Sequence, residues 1–223
     1  MQFEDRAEAG RLLAQRLETY ANRRDVLLIA LPGGGVPVAY EIAQALNLPL
    51  DVFVVRKLGV PGQEELAMGA IAAGGTHVLN RPLIQGLGLS EDAIKRVIAA
   101  QEQELERREH LYRDARSFPD LHNRTVILVD DGLATGATMY VAIQALRQLN
   151  PASLIIAVPV AARETCELLR SEVEEVICAI TPEPFDGVGR WYRNFAQVSE
   201  KEVIELLKRA RERTVASSKE AEV

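Results

Sequence analysis

The clearest structural signal in the chain lies at residues 126–138, which are Val126-Ile127-Leu128-Val129-Asp130-Asp131-Gly132-Leu133-Ala134-Thr135-Gly136-Ala137-Thr138. Its first four residues are apolar and β-prone, which is typical of a strand buried on both faces of a parallel sheet. Two carboxylates and a turn of small residues follow, and the residues from Ala137 to Leu149 have the three-and-four apolar spacing of a helix. The stretch therefore predicts a strand, a turn and a helix in direct succession.

The turn between this strand and this helix has the chemistry of a sugar-phosphate site. The start of a helix offers backbone N–H groups and the positive end of the helix dipole, and Thr135 and Thr138 add hydroxyl donors. Asp130 and Asp131 repel a phosphate, but they accept hydrogen bonds from sugar hydroxyls or bind a metal ion. A site for a phosphate on one side and a diol on the other fits a ribose 5-phosphate.

The same residues resemble the motif of a known family. Val129–Thr138 is similar to the motif with which type I phosphoribosyltransferases bind 5-phosphoribosyl 1-pyrophosphate (PRPP). It closely resembles the adenine phosphoribosyltransferase version, with Ala137 where that enzyme usually has Gly. The resemblance implies that Asp130 and Asp131 are catalytic, hold the ribose diol, and bind Mg²⁺ directly or through ribose and water. It implies that the 5-phosphate is bound by Ala134, Thr135, Gly136, Ala137 and Thr138. The alternative is a turn in which an Asp only caps the helix.

Strands and helices alternate along most of the chain. Apolar runs predict five strands, at residues 25–31, 49–56, 126–129, 152–160 and 173–180. Such alternation predicts parallel strands with right-handed crossovers. We therefore expect an α/β fold: a Rossmann-like, doubly wound, mainly parallel five-stranded sheet with helices on both faces. This is also the fold that the resemblance implies, with a small hood or flap added.

The chain is expected to form a single phosphoribosyltransferase-like domain over residues 1–213. Its core would span 25–180. Two short strands and a long charged helix would make a flap over 66–116, and that helix is interpreted as a solvated face or as the arm of a dimer. A hood and a last helix would occupy 181–213, and residues 214–223 would form a flexible tail.

A second anion site is predicted after the first strand, where the sequence reads Pro32-Gly33-Gly34-Gly35. Successive glycines let a ligand approach the main chain and expose amide donors that suit an anion. The resemblance implies that Gly33, Gly34 and Gly35 bind the pyrophosphate of PRPP. Arg56 and Lys57, at the predicted end of the second strand, are expected to meet the same pyrophosphate. The alternatives are a tight turn without a ligand and a solvated basic pair.

The acceptor and the proton transfer have weaker sequence signals. A Pro- and Gly-rich segment follows the last predicted strand, and its aromatic side chains are expected to stack on a planar acceptor base. The candidates are Phe185, Trp191 and Tyr192, and packing of the C-terminal helix is the alternative. Either Glu64 or Glu65 is expected to act as a base toward the acceptor.

Composition limits the classes of function. With 26 Lys and Arg against 32 Asp and Glu, the formal net charge is −6, which disfavours a nucleic-acid partner. No apolar run is long enough to span a membrane, and the N-terminus does not resemble a signal peptide, so we expect a cytoplasmic protein without a membrane partner. Cys166 and Cys178 show neither a zinc nor a disulfide pattern.

Taken with the motif, the resemblance implies a PRPP-dependent transferase. Such an enzyme moves the 5-phosphoribosyl group to a nitrogen acceptor, usually a nucleobase, releases pyrophosphate, uses Mg²⁺, and works as a homodimer. Two alternatives stay open. One is a non-catalytic regulator that binds PRPP or a nucleotide on the same fold. The other is an oxidoreductase that uses the Gly33–Gly35 loop for a dinucleotide, which is disfavoured because Val38 stands where the third fingerprint glycine belongs.

Overall fold

The computed structural model describes residues 2–114 and 116–220. In this part of the chain the strands are β1 (Val26–Ala30), β2 (Leu50–Val52), β3 (Val55–Val60), β4 (Gln63–Ala72), β5 (His77–Leu79), β6 (Thr125–Val129), β7 (Ser153–Val160) and β8 (Glu175–Ile180). The α-helices are α1 (Arg6–Arg16), α2 (Gly35–Leu46), α3 (Arg81–Gly86), α4 (Glu91–Arg113), α5 (Ala137–Arg147), α6 (Arg163–Leu169) and α7 (Glu200–Glu220). The chain divides into two compact units. The second contains Phe53–Phe118 and Ala137–Gln148, and the first contains the rest.

The first unit is built on a five-stranded parallel sheet with the order β2-β1-β6-β7-β8. Every residue of β1 and β6 is buried, as expected for strands covered on both faces. The two strands end side by side, since Ala30 pairs with Val129. The predicted α/β fold is therefore confirmed, and the loops that follow β1 and β6 emerge at the same edge of the sheet.

The boundary of the second predicted strand is wrong. We expected one strand over 49–56, but β2 ends at Val52 and β3 begins at Val55 in a different sheet. Phe53 and Val54 between them are both buried, so the apolar run continues through the break and hides it from a pattern search. As a result, Arg56 and Lys57 lie within an antiparallel strand and not at the carboxyl end of a parallel one.

The second unit is built on a three-stranded antiparallel sheet with the order β3-β4-β5. The two short strands predicted for the flap, at residues 68–73 and 76–80, are present as the antiparallel pair β4 and β5. β4 begins at Gln63, before the predicted start, and its first half pairs with β3. Helix α4 packs against β3 and β4. Its cap is Ser90, whose Oγ accepts a hydrogen bond from the Ala93 N–H (3.2 Å), and it ends at Arg113 instead of the predicted Arg116.

The ends of the chain pack within the first unit. Helix α1 contacts α2, β7 and β8, and its cap is Asp5, whose Oδ1 accepts from the Glu8 N–H (2.8 Å). Helix α7 contacts α2 and β2, and the Ser199 hydroxyl caps the start of this helix by accepting from the Glu202 N–H (3.2 Å). The helix continues to Glu220 instead of ending at Arg213, and residues 221–223 of the predicted tail lie outside the described residues.

The predicted division of the chain into core, flap, hood and tail stays a prediction.

Over residues 2–114 and 116–220, no helix has both the length and the apolar character needed to cross a bilayer.

Candidate active site

The glycine loop after β1 packs directly against the acidic pair after β6. A Cβ added to Gly34 would lie 1.9 Å from Asp131 Oδ2, and one added to Gly35 would lie 2.7 Å from the Val129 carbonyl oxygen. The loop is held by the Leu31 N–H, which donates to that same carbonyl (2.9 Å), and its Pro32–Gly33 peptide bond is cis. Only glycine permits so close an approach of two main-chain segments, and the structure thereby brings these two sets of predicted site residues together.

The loop that follows the acidic pair, residues 132–136 (the predicted phosphate loop), is held by hydrogen bonds to β7 and α6. The Leu133 N–H donates to the Val160 carbonyl (2.9 Å), and the Thr165 hydroxyl donates to the Ala134 carbonyl (2.5 Å). Gly136 has a φ of +72°, and a Cβ there would lie 2.6 Å from the Thr165 methyl group, so this position requires glycine twice over. Among the predicted phosphate ligands, Ala134, Thr135, Ala137 and Thr138 are exposed, and α5 begins immediately after Gly136.

The acidic pair is largely shielded from solvent. Oδ1 of Asp130 accepts a hydrogen bond from the Asp131 N–H (2.8 Å), and the Asp131 carbonyl accepts one from the Tyr192 hydroxyl (2.6 Å). Burial, and then the neighbouring Asp131 charge, raise the pKa of Asp130 well above its ordinary value. Burial also raises the pKa of Asp131, while the hydrogen bond from Arg6 acts in the opposite direction. Two carboxylates at such a position are unfavourable for stability, which makes the pair a candidate for a functional site.

Arg6, in the first turn of α1, is a site residue that sequence reasoning missed. Its Nε donates to Asp131 Oδ2 (2.8 Å), and its Nη1 donates to the Ala196 carbonyl (2.8 Å). The guanidinium carbon lies 4.0 Å from the centroid of the Phe195 ring, a cation–π contact. The topology indicates that α1 begins near the site, because a helix that runs antiparallel to the following parallel strand begins at the carboxyl edge of the sheet. The sequence of α1 contains several charged residues, and nothing in it distinguishes Arg6 from the others.

The aromatic segment after β8 is partly core. Tyr192 is 3% exposed and packs between Phe3 (ring centroids 5.4 Å apart) and Phe195 (5.1 Å). Phe185 and Trp191 are partly buried against the same cluster, and Trp191 Nε1 is buried with no hydrogen-bond partner among the described residues. The ring of Tyr192 is therefore occupied by packing, while its hydroxyl contacts the acidic loop. The role of the three side chains toward an acceptor base stays a prediction.

In the second unit, the structure groups the other predicted site residues around one cavity. Arg56, Lys57, Glu64 and Glu65 line a space of about 450 Å³ between the β3–β4 hairpin and α4. Arg56 Nε donates to Gln101 Oε1 (3.0 Å), and burial lowers the pKa of Arg56. Lys57 Nζ lies 3.5 Å from Glu65 Oε2. The parts proposed for these four residues in pyrophosphate binding and proton transfer stay predictions.

The acidic pair fits Mg²⁺ only in company with a substrate. Among residues 2–114 and 116–220, no three His, Cys, Asp or Glu side chains are grouped as a metal-binding cluster. Mg²⁺ requires six oxygen ligands, and it is commonly held by one or two carboxylates together with substrate phosphates and water. Asp130 and Asp131 meet that lesser requirement, although Arg6 already neutralises one of them.

Comparison with known proteins agrees with this arrangement. The family model of the phosphoribosyl transferase domain matches residues 2–192. Proteins of two Mycobacterium tuberculosis strains, provisionally named phosphoribosyl transferases, are each 45% identical over 208 residues, which cover 93% of this chain and 47% of the relative. The chain thus spans about half the length of these curated relatives. A uracil phosphoribosyltransferase of Lacticaseibacillus paracasei is 27% identical over 62% of this chain and 66% of its own.

Among solved structures, the crystal structure of TT1426 from Thermus thermophilus is similar to this fold. It shares 38% identity, with a TM-score of 0.78 over 93% of this chain and 98% of that one. The match of the family model covers more than half of the chain and includes the acidic pair and the two loops predicted to bind anions. The chain therefore belongs to the phosphoribosyl transferase domain family.

Proposed function

We propose that this domain transfers the 5-phosphoribosyl group of PRPP to a nitrogen atom of a small acceptor, a nucleobase, and releases pyrophosphate. The observation that carries the proposal is the contact between the glycine-loop backbone at Gly34 and the carboxylate of Asp131. This contact would bring a main-chain anion site against a pair of acceptors for a diol. A substrate with a ribose hydroxyl pair and a pyrophosphate on the adjacent carbon fits both.

The transfer depends on stabilising the charges that develop on the ribose and the pyrophosphate more than on a nucleophile from the protein. The bond from C1 of the ribose to the pyrophosphate oxygen breaks, and its electron pair leaves with the pyrophosphate. The acceptor nitrogen supplies the electron pair of the new C1–N bond and loses its proton. In between, positive charge develops on the ribose ring, as in glycoside transfer. Asp130 and Asp131, hydrogen-bonded to the diol, place negative charge near it.

Each phosphate group has its own loop in this proposal. The backbone of Gly33–Gly35 would donate to the pyrophosphate, as main-chain nests do for anions. The N–H groups and hydroxyls of residues 134–138 would donate to the 5-phosphate at the start of α5. Asp130 or Asp131 would hold a Mg²⁺ ion, which would supply positive charge for the departing pyrophosphate. Arg56 and Lys57 would add positive charge for the pyrophosphate.

The acceptor side of the proposal includes the remaining predicted residues. Phe185 and Trp191 offer partly exposed rings for a planar base. Glu64 or Glu65 would accept the proton that the acceptor nitrogen loses. We also propose that the protein works in the cytoplasm and as a homodimer, as the resemblance implies. Light scattering of the purified chain tests the dimer, and cell fractionation tests the location.

The decisive experiment is a panel of bases with Mg²⁺ and PRPP, read as pyrophosphate formation. Uracil belongs in the panel because one relative is named a uracil phosphoribosyltransferase. We expect pyrophosphate release that depends on one base and is lost when Asp130 and Asp131 are both changed to Asn. Saturable PRPP binding without release for any base would instead indicate the regulatory alternative. Absence of PRPP binding would overturn the proposal.

A further inference from the structure

Arg6 makes three contacts of different kinds at the acidic pair. Its Nε is hydrogen-bonded to Asp131, its Nη1 to the Ala196 carbonyl, and its guanidinium plane lies over the Phe195 ring. The side chains of Arg6 and Asp131 are only 11% and 15% exposed. A guanidinium held by two hydrogen bonds and a ring has little freedom to swing away, because its planar donors fix direction as well as distance.

Asp131 has few other constraints on its carboxylate. The Tyr192 hydroxyl bonds to the main-chain carbonyl of Asp131, not to its side chain, and the glycine loop approaches it with backbone alone. The nearest charged neighbour on its own loop is Asp130, which repels it. Without Arg6, repulsion would favour rotation of the Asp131 carboxylate away from its neighbour. The position of this oxygen acceptor therefore depends on a residue from a different element, α1.

We propose that Arg6 is a positioning residue for the ribose-binding acid: it holds Asp131 against the glycine loop in the orientation that receives a ribose hydroxyl. This inference rests on the proposed function. It also divides the work within the pair. Asp131, already neutralised by a guanidinium, is a hydroxyl acceptor and a poor ligand for a divalent cation, which leaves Asp130 as the carboxylate for Mg²⁺.

The competing explanation is that the ion pair only fastens α1 to the first unit. The two explanations differ in which ligand is affected. A loss of α1 docking disturbs the glycine loop and the acidic pair together, and it weakens pyrophosphate and ribose 5-phosphate alike. A loss of Asp131 orientation weakens ribose 5-phosphate, which needs the diol acceptors, and spares pyrophosphate, which binds the backbone of Gly33–Gly35.

The test compares Arg6→Met with Arg6→Lys, because Met and Lys are similar in length and differ in charge. Calorimetric titration of each variant with ribose 5-phosphate and, separately, with Mg²⁺-pyrophosphate gives the two affinities. We expect Arg6→Met to bind ribose 5-phosphate about tenfold more weakly or worse, as the loss of a charged hydrogen bond entails. Its affinity for Mg²⁺-pyrophosphate should change less than about twofold, because pyrophosphate binds the backbone of Gly33–Gly35, which the substitution does not alter. Arg6→Lys should recover part of the ribose 5-phosphate affinity.

The control variant is Arg193→Met. Arg193 pairs with Glu4 at 3.0 Å, but both side chains are more than 60% exposed, so the change removes an ion pair of the same N-terminal segment away from the acids. We expect both affinities of this variant to equal those of the wild type. If Arg6→Met does not fold, as judged by circular dichroism, Arg6→Gln takes its place and is expected to show the same selective loss.

The outcomes separate the two proposals. Equal weakening of both ligands in Arg6→Met, or unchanged ribose 5-phosphate affinity, overturns the role of Arg6 and leaves the proposed function standing. Failure of Lys to restore any affinity also overturns it. If the wild type binds neither ligand, the proposed function fails and this inference fails with it.

Discussion

The backbone of Gly34 packs against the carboxylate of Asp131: a Cβ on Gly34 would lie 1.9 Å from Oδ2 of Asp131 and 2.5 Å from its carboxyl carbon. Glycine at position 34 is therefore required by the acidic pair as well as by any anion in the loop. In the sequence, the strands of the second sheet come between the glycine loop and the acidic pair, yet the two are in contact. A side chain added at position 34 should therefore disturb the acidic pair as well as the loop.

Gly34→Ala should impair both halves of the PRPP site. The added methyl group must displace the Asp131 carboxylate, which is the end of a short side chain, so we expect the fold to survive at a cost of about 1–3 kcal/mol, as for other overpacked sites. Affinity for pyrophosphate and for ribose 5-phosphate should both fall. Calorimetry with each ligand and urea unfolding measure the two effects.

The matched control is Gly86→Ala, at the end of α3. A Cβ at Gly86 would meet no atom of the described residues within 4 Å, and its backbone needs no positive φ, so this change should be neutral or slightly stabilising. A Gly34→Ala protein that binds ribose 5-phosphate as tightly as the wild type would contradict the coupling.

The centre of this fold could be predicted because its signals are local. The run that became β6 is apolar throughout and ends on two acids, so strand, loop and helix were all visible in one short stretch. The predicted parallel topology agrees with the structure, in which β1 pairs with β6 and the Gly33–Gly35 loop emerges at the same edge. Buried parallel strands are the elements whose sequence pattern is least ambiguous.

What escaped prediction depends on long-range contacts. The ion pair of Arg6 with Asp131 joins residues 125 positions apart, and Thr165 reaches Ala134 across 31 positions. Neither Arg6 nor Thr165 belongs to a local motif. The break between Val52 and Val55 escaped for another reason: both sides of it are apolar, because the chain passes from one sheet to another through the buried pair Phe53 and Val54.

Thr165→Val should loosen the phosphate loop without changing its shape. Valine keeps the methyl group that packs at Gly136 but cannot donate to the Ala134 carbonyl. We expect a loss of stability of about 1 kcal/mol and a severalfold weaker affinity for ribose 5-phosphate. Thr76→Val is the control, since its hydrogen bond to Gln148 is exposed and lies in the second unit. An unchanged affinity of Thr165→Val for ribose 5-phosphate would show that the loop keeps its conformation without the hydrogen bond from Thr165.

Asp130→Asn should make the protein more stable, and the gain should grow with pH. The folded pKa of Asp130 is raised above its ordinary value of 3.8, so the folded state holds the proton more tightly than the unfolded state. Wild-type stability is therefore fully present below pH 3.8 and falls as pH rises toward that raised pKa, by about 1.4 kcal/mol for each pH unit within this window. Asparagine has no charge to bury and removes this loss.

Urea unfolding at several pH values between about 4 and 8 measures the difference between the two proteins. Asp186→Asn is the control, because that carboxylate is exposed and pairs only loosely with Arg190 (3.6 Å). The control should stay within about 0.5 kcal/mol of the wild type at every pH. A constant gap between Asp130→Asn and the wild type across the range would mean that Asp130 does not titrate as its burial requires.

The double change Asp130→Asn with Asp131→Asn separates a functional acidic pair from a structural one. If the pair exists to hold the ribose, the variant should fold with equal or greater stability, because it removes two repelling and partly buried charges. Its transfer rate should fall by about 10²-fold or more, because amides cannot place negative charge beside the charged ribose ring of the transition state. Thermal unfolding and the pyrophosphate assay are read on the same preparation. If the pair only caps structure, stability should instead fall by about 0.5–2 kcal/mol. A destabilised double variant that still binds Mg²⁺-PRPP like the wild type would remove both residues from the site.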